Sequence, residues 1–385
     1  MMRMSTPANR IRVLFVSRKH PPSIGGMQRL SYHLVEEMRH RVEVISVTWG
    51  GSQKLLPFFL PYALVRTLWE ARRGIDLVSA GDPIVAAVGW IVKSITGIPV
   101  VTVAHGLDVT FSSRPYQWVI SRLLQRMDRV VCISESAMAA CIARGVAAER
   151  CVVVHPGVSL PAEVPPRSTA RERLSEIVGR PLDKMRVLMT VGRLVQRKGV
   201  VWFLESVYAE LAAQMGDIHY VVVGDGPDGD RVRATISRLH LHDRVSLTGV
   251  LTEDALVHAY VGSDLFVMPN VPVPGDMEGF GLVAIEAAAH GLPVLAADLE
   301  GISTAVSTGQ TGQLVRPGDA PAWLEATRRI LNSPDDRTAT SRVVQEAVAN
   351  RFGWGRMADA YFAVFRDVVQ GRPIPETRPV NPGRM

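Results

Sequence analysis

Cysteine is scarce: the three present, Cys132, Cys141 and Cys151, cannot all pair with one another, and their spacings of nine and ten fit neither a CxxC nor a zinc-ligand pattern. They read as reduced, mostly buried small apolar side chains. Long apolar runs are missing too. Uncharged apolar runs stop at about a dozen residues (55–65 and 265–275), short of the ~20 needed to cross a bilayer as a helix. The opening decapeptide MMRMSTPANR has no apolar h-region, so no secretory signal is expected and a cytoplasmic location follows. His20, His155 and His290 read as structural, no HExxH-like pair occurs, and the acidic residues form no dense hard-cation site. No metal is therefore expected. No zinc finger, helix-turn-helix or aromatic and basic RNA-binding signature appears, which argues against a nucleic-acid partner.

What is present is the composition of a globular protein: 385 residues, 47% hydrophobic and 21% charged. That length predicts two domains at roughly 100–200 residues each. The net charge of +6 is unevenly spread. Residues 1–180 carry 23 Lys and Arg against 13 Asp and Glu, whereas 181–385 carry 20 against 24. A basic half points either to an anionic partner or, more simply, to solvated helix faces.

Short β-branched runs alternate with helix-like stretches at 11–17, 42–47, 75–80, 98–104, 128–134 and 151–154. Their near-continuous apolarity predicts parallel strands buried on both faces and wound with helices. A stretch rich in proline and charge at 159–184 reads as the interdomain connection. The rhythm restarts at 185–192, 219–224, 244–249, 264–269 and 292–297, predicting a second doubly wound sheet. Apolar residues near helical spacing, Met357, Tyr361, Val364, Phe365 and Val368, predict a final helix over Trp354–Val369 that covers one or both domains. The tail from Gly371 reads as frayed. The expected fold class is α/β, with two Rossmann-like doubly wound parallel sheets whose ligand-binding strand ends face a shared cleft.

Chemistry concentrates in EGFGLVAIEAAAHGLPVLAAD, residues 278–298. A helix starting near Gly281 leaves the N–H groups of about 279–282 without intrahelical acceptors, as donors for hydroxyls or phosphate oxygens. Glu278 at the helix mouth and Glu286, about one and a half turns in, can accept from ligand hydroxyls, Glu286 from a vicinal pair such as ribose. The plainer reading is a helix cap and a solvated face. The apolar run LVAIEAAA, in which an unpaired charge would be costly, favours a ligand role for Glu286. In VGRLVQRKGV (191–200), Gly192 lets the chain turn, and Arg193 and Lys198 can converge with a helix start on a diphosphate. The order is not that of a Walker motif. GDGPDGD follows the second strand of its domain, where a dehydrogenase would want its GxGxxG after the first. Gly25 and Gly26, between a strand and a helical run, let backbone approach a phosphate.

GRLVQRKG, VVVGDGP, TGVLTEDAL, DLFVMPN with the 278–298 segment, and TGQLVRPGD together resemble the donor domain of the family 4 glycosyltransferases. The likeness extends to the first half through SRKHPPSIGGMQRLSYHLVEEM, VTVAHGLD and VVVHPGV. It implies the GT-B fold, with an acceptor-side domain over 1–180, a donor domain over 181–353, and a helix at 354–370 returning towards the first, followed by a flexible tail at 371–385. It also implies retaining hexosyl transfer from a nucleotide sugar, UDP- or GDP-linked, with no cofactor and no metal requirement. By the resemblance, Gly25, Gly26, Arg193 and Lys198 hold the donor diphosphate, and His105, Glu278, Gly279, Phe280 and Gly281 the donor sugar. Glu286, Leu251 and Leu282 take the ribose and nucleobase, with Asp108 and Asp225 as neighbours. His105, Glu278, Arg193 and Lys198 are the residues expected to carry catalysis. A nucleotide-sugar hydrolase or epimerase, or a non-catalytic nucleotide-sugar-binding partner, remains the alternative. The acceptor is a hydroxyl, with cell-envelope polysaccharide, lipid-linked and glycolipid acceptors in view. Residues 53–73, bulky and apolar but flanked by Lys54, Arg66, Arg72 and Arg73, read either as an ordinary buried helix or as a peripheral contact with anionic membrane.

Overall fold

A computed structural model describes residues 10–23, 25–161, 163–332 and 337–371. The expected tail therefore lies, from residue 372 on, outside the described residues. Two compact units divide the chain, one made of residues 1–157 with 354–385 and the other of Val158–Gly353.

In the first unit, strands β1 (Arg12–Ser17), β2 (Glu43–Thr48), β3 (Leu77–Ala80), β4 (Val100–Ala104), β5 (Arg129–Cys132) and β6 (Cys151–Val153) form one parallel sheet in the order β2-β1-β3-β4-β5-β6. Every residue of β3 and β4 is buried, as expected for strands covered on both faces. Order reverses between β1 and β3, and at such a switch point the loops leaving neighbouring strands part to opposite faces and open a crevice at the carboxyl ends. Helix Gly26–Met38 follows β1. Helices Leu56–Ala71, Ala86–Thr96 and Arg114–Leu124 precede β3, β4 and β5, each touching the next. Right-handed crossovers running in the same direction along the sheet place these three in one layer. Helix Trp354–Val369 belongs to this unit and packs on Gly26–Met38, with Phe365 edge-on to Phe15 at 5.9 Å and Trp354 stacked on His33 at 4.2 Å. Its buried stripe is Met357, Ala358, Tyr361, Val364 and Phe365.

The second unit repeats the plan with β7 (Arg186–Val191), β8 (Ile218–Val223), β9 (Val245–Gly249), β10 (Leu265–Met268), β11 (Val294–Ala297) and β12 (Gln313–Val315), all parallel, in the order β12-β11-β10-β7-β8-β9. Its switch point lies between β7 and β10. A core of Phe203, Tyr208, Tyr220 and Trp323 fills one side of the sheet through edge-on and tilted ring contacts. A polar pair within it is satisfied, because Tyr220 Oη and Thr190 Oγ1 bond at 2.6 Å and Thr190 donates to the Val267 carbonyl.

Two expectations need correction. The stretch 159–184 is more than a connection: it contains helix Arg167–Val178, which buries Ala170 and Leu174 and belongs to the second unit. Arg167 and Arg171 clasp Asp264 at 2.7 and 2.5 Å, and Asp264 also accepts from the Val187 N–H at 2.7 Å, tying this helix to the start of β7 and β10. A helix with so few apolar residues, held by a shared carboxylate, leaves little periodicity to read. β12 was not anticipated either. It is three residues long with two of them half-buried, too short to stand out from its loop.

Loops at the β7–β10 end of the second sheet touch backbone to backbone. A Cβ on Gly199 would lie 1.8 Å from the Pro269 carbonyl oxygen, and its φ is +67°. Gly199→Ala should therefore destabilise the protein by roughly 2 kcal/mol or more. Urea unfolding followed by circular dichroism measures this, and an unchanged midpoint would contradict the close approach.

Candidate functional site

Glu278 is the centre of the second unit's constellation. It sits in the loop between β10 and helix Leu282–Ala289, with its side chain 12% exposed. Lys198, itself 8% exposed, ends the turn Gln196–Lys198 after β7 and donates from Nζ to Glu278 Oε2 at 2.6 Å. Asn270 Nδ2 donates to the same oxygen at 3.1 Å, and Arg197 Nε lies 3.4 Å away. The Arg197 guanidinium also reaches Asp276 at 3.0 Å. Burial works to raise the Glu278 pKa. The Lys198 and Arg197 charges and the hydrogen bonds from Lys198 and Asn270 outweigh it, so the group is held below the usual carboxylate range.

The loop's backbone is also fixed. Glu278 N–H donates to Glu300 Oε2 at 2.6 Å, and the Glu278 carbonyl accepts from Gly301 N–H at 3.2 Å. Glu300 takes a left-handed backbone with φ of 52°, a conformation that costs a non-glycine side chain about a kcal/mol or more. Burial and the nearby Glu278 charge push its carboxyl pKa upward, partly offset by its bond to the Glu278 N–H.

Gly281, with φ of 86°, is the N-cap of helix Leu282–Ala289 and is buried with its neighbour Phe280. Among the described residues the N–H groups of Gly279, Gly281 and Leu282 have no hydrogen-bond partner. The Phe280 side chain is 2% exposed and packs edge-on against Phe352 at 5.7 Å, so it cannot face a sugar and can offer only its backbone. Glu286 stands within the helix, half-buried, and accepts from Tyr260 Oη at 3.3 Å. Arg193 is exposed and forms no ion pair among the described residues, whereas Lys198 is buried. Asp225 is exposed and turns back on its own loop, accepting from Gly226 N–H at 2.7 Å. Leu251, half-buried, follows β9.

In the first unit, His105 lies at the carboxyl end of β4. Its ring nitrogen Nε2 is 2.8 Å from the Gly81 carbonyl, and its backbone N–H donates to both Asp108 carboxylate oxygens at 2.9 and 3.1 Å. Beneath this, Asp82 is fully buried after β3. It is paired with Arg18 at 2.8 Å and accepts from the N–H groups of Ile84 and Val85. Arg18, Asp82 and His105 thus gather at the first sheet's switch point. Burial and the Asp82 charge raise the Asp108 pKa to about 6, against His105 and Arg18, which lower it. Gly25 is the N-cap of helix Gly26–Met38, as the spacing of that loop suggests. The cysteines are free and buried, with Cys132 and Cys141 sulfurs 3.9 Å apart. No group of three or more His, Cys, Asp or Glu among the described residues is arranged to hold a metal.

Glu278 and Lys198 stand out in the sequence, whereas the groups that fix them do not. Arg197 is hidden beside Lys198 in a basic pair. Asn270 and Glu300 are separated from Glu278 by 8 and 22 positions: Asn270 meets it by the folding of the loop after β10, and Glu300 through the pairing of β10 with β11. Arg18 and Asp82 likewise lay unmarked on different strands.

The family model described as Glycosyltransferase Family 4 matches residues 9–161, and that described as Glycosyl transferases group 1 matches 185–333. A D-inositol 3-phosphate glycosyltransferase of Gordonia bronchialis is 30% identical over 317 residues, 77% of this chain and 66% of the relative. One from Catenulispora acidiphila, D-inositol 3-phosphate glycosyltransferase 1, is 31% identical over 336 residues, 80% of this chain and 78% of the relative. The chain thus spans just under two thirds of the Gordonia relative and more of the other. Among solved structures, Anabaena HepE in complex with UDP and glucose aligns with a TM-score of 0.75 at 21% identity, over 92% of this chain and 99% of its own. Sucrose-phosphate synthase from Thermosynechococcus elongatus aligns at 0.77 and 23%, over 94% and 100%. These likenesses show the fold, two Rossmann-like domains of the GT-B type.

The raised Asp108 pKa fixes the sign of a pH effect. Between its ordinary 3.8 and about 6, the folded protein holds a proton that the unfolded chain has released, so stability contributed by this group falls as pH rises through that window. Carboxyl NMR should give an Asp108 midpoint near 6, and Asp108→Asn should flatten the stability slope over the same range. A midpoint at the ordinary value would show that the group is solvated.

Proposed function

The chain belongs to glycosyltransferase family 4, and from that premise we propose that it moves a hexose-type sugar from a nucleoside-diphosphate sugar, UDP- or GDP-linked, to a hydroxyl acceptor. The carrying observation is the buried Glu278–Lys198 pair beside the unpartnered N–H groups of Gly279, Gly281 and Leu282. Few arrangements offer an ionised carboxylate acceptor, a buried ammonium and free backbone donors within one loop cluster. Together they suit a ligand carrying both hydroxyls and phosphates.

The transfer breaks the bond between the anomeric carbon and a diphosphate oxygen. Negative charge gathers on the leaving group while the sugar becomes oxocarbenium-like. The acceptor oxygen then bonds to that carbon, and its proton passes to the departing phosphate. Lys198 has three ammonium donors, of which Glu278 uses one, leaving two for phosphate oxygens. Arg193, free at the surface, and Gly25 and Gly26 of the first unit complete the proposed diphosphate contacts, and preorganised donors of this sort take the place of a metal. Glu278 accepts from the sugar hydroxyls, with backbone at Gly279, Phe280 and Gly281. Asn270 Oδ1, buried with no hydrogen-bond partner, adds an acceptor there. His105 donates to the transferring sugar, with Asp108 holding its backbone. Glu286 receives the ribose, Leu251 and Leu282 flank the nucleobase, and Asp225 lies in a neighbouring loop. We assign retention at the anomeric carbon, and an inverted product would contradict it.

For the acceptor, the reading keeps a cell-envelope polysaccharide, lipid-linked or glycolipid hydroxyl, used on the cytoplasmic side. The relatives' names add an inositol phosphate to the acceptors worth trying first. Consumption of sugar nucleotide with no acceptor dependence would favour a hydrolase or epimerase instead. Donor binding without turnover under any condition would favour a non-catalytic binding partner.

A screen of UDP- and GDP-sugars by thermal shift, followed by acceptor trials with the best donor, tests the proposal. Lys198→Ala should keep the fold by circular dichroism and lose at least ~10² in kcat. Turnover near that of the unaltered protein would remove the phosphate assignment.

A further inference from the structure

Helix Leu56–Ala71 buries one face only. Phe59, Ala63, Thr67 and Glu70 are buried against the first unit, while Phe58, Tyr62, Val65 and Trp69, at spacings of four, three and four, lie exposed as a single outward stripe. Phe58 is 75% exposed. This is no ordinary buried helix. Its lateral neighbours continue the surface, with Ile95 on helix Ala86–Thr96 exposed at 66% and Trp118 on helix Arg114–Leu124 at 60%. Scattered single apolar side chains need no explanation, but an aromatic stripe extended over three adjoining helices does.

The charges on the same three segments are one-sided. Residues 53–73, 86–96 and 111–128 hold eight Lys and Arg against two acids, Glu70 and Asp128. Both acids are already engaged, Glu70 by Arg66 at 2.6 Å and Asp128 by Lys93 at 2.8 Å. Guanidinium groups stack on the exposed indoles: Arg66 and Arg73 lie 4.1 and 3.9 Å from the Trp69 ring centroid, and Arg122 lies 3.9 Å from that of Trp118. Indole rings with an apolar body and a polar edge, set among cations with long alkyl stems, fit a layer that is apolar below and anionic above.

We propose that this three-helix face of the first unit docks on an anionic lipid bilayer, with Phe58, Tyr62, Val65, Trp69, Ile95 and Trp118 entering the headgroup and acyl boundary and the arginines meeting lipid phosphates. The apolar stripe supplies partition and the basic rim supplies charge complementarity. A second copy of the chain is the poorer occupant, because a two-fold contact through this face would set its cations against the same cations. No helix among the described residues is long and apolar enough to cross a membrane, so the contact is interfacial. The inference does not rest on glycosyl transfer.

The test is co-sedimentation of the full chain with vesicles of phosphatidylcholine alone and of phosphatidylcholine with one-third phosphatidylglycerol, at low and high salt. Binding to the anionic vesicles, weakened by salt and absent from the neutral ones, supports the proposal. Two double variants separate its components, Phe58→Ser with Trp118→Ser for the stripe and Arg72→Glu with Arg73→Glu for the rim. Each should keep its circular dichroism and lose binding by about tenfold or more, since each phosphate-facing cation is worth ~1 kcal/mol and an inserted ring at least as much. Equal binding of the variants and the unaltered chain overturns the proposal, as does failure of the unaltered chain to bind anionic vesicles at low salt. A concentration-dependent dimer abolished by the Phe58 and Trp118 changes overturns it in favour of a second copy, and salt-sensitive retention on nucleic acid with no vesicle binding overturns it in favour of that polymer.

Discussion

A buried carboxylate with a buried ammonium 2.6 Å away is the constraint on which the second unit's site depends. Either charge alone would carry a desolvation cost of several kcal/mol, and removing one partner leaves the other uncompensated. The pair therefore works as a clamp between the loop after β7, which carries Lys198, and the loop after β10, which carries Glu278. Asn270 and Arg197 add donors from the same two loops, and Glu300 holds the Glu278 backbone from the loop after β11. Three strand ends are thereby locked through one residue.

The first unit solves a similar problem differently. Asp82 is fully buried, paired with Arg18 and bonded to two backbone N–H groups. Burial is the main reason that Asp108, which touches His105, ionises late; the nearby Asp82 charge adds to it, and His105 and Arg18 oppose it. The two sheets share a topology, yet one holds its central carboxylate below the usual range by surrounding it with cations, and the other makes a second carboxylate harder to ionise, its pKa raised to about 6.

Much of this was legible in the residues. Eleven of the strands announce themselves by runs of Val, Ile and Leu, and the helix Trp354–Val369 by its apolar spacing. Glu278 and Lys198 stood out because glycine-rich turns bracket them. What escaped reading was held by relations between distant positions. The helix Arg167–Val178 depends on Asp264, some 93 residues beyond Arg171, and β12 depends on pairing with β11 rather than on its own three residues. The Phe280 ring packs in the core against Phe352, a contact with a residue 72 positions away that no local pattern shows. Arg193 is exposed in its loop, and a charged side chain there has no packing to fix where it points.

The division of the chain has a consequence for its birth. The whole of Val158–Gly353 is inserted between the bulk of the first unit and the helix that completes it. On a ribosome, the first sheet emerges early, but its helix Gly26–Met38 must wait for about 330 further residues, roughly half a minute at ~5–20 residues per second, before Phe365 meets Phe15 and Trp354 meets His33. The inserted unit is then the earlier one to have all of its own residues available. During that interval the half-finished domain keeps an apolar face open, so the nascent chain, more than the mature protein, is the form in need of a chaperone.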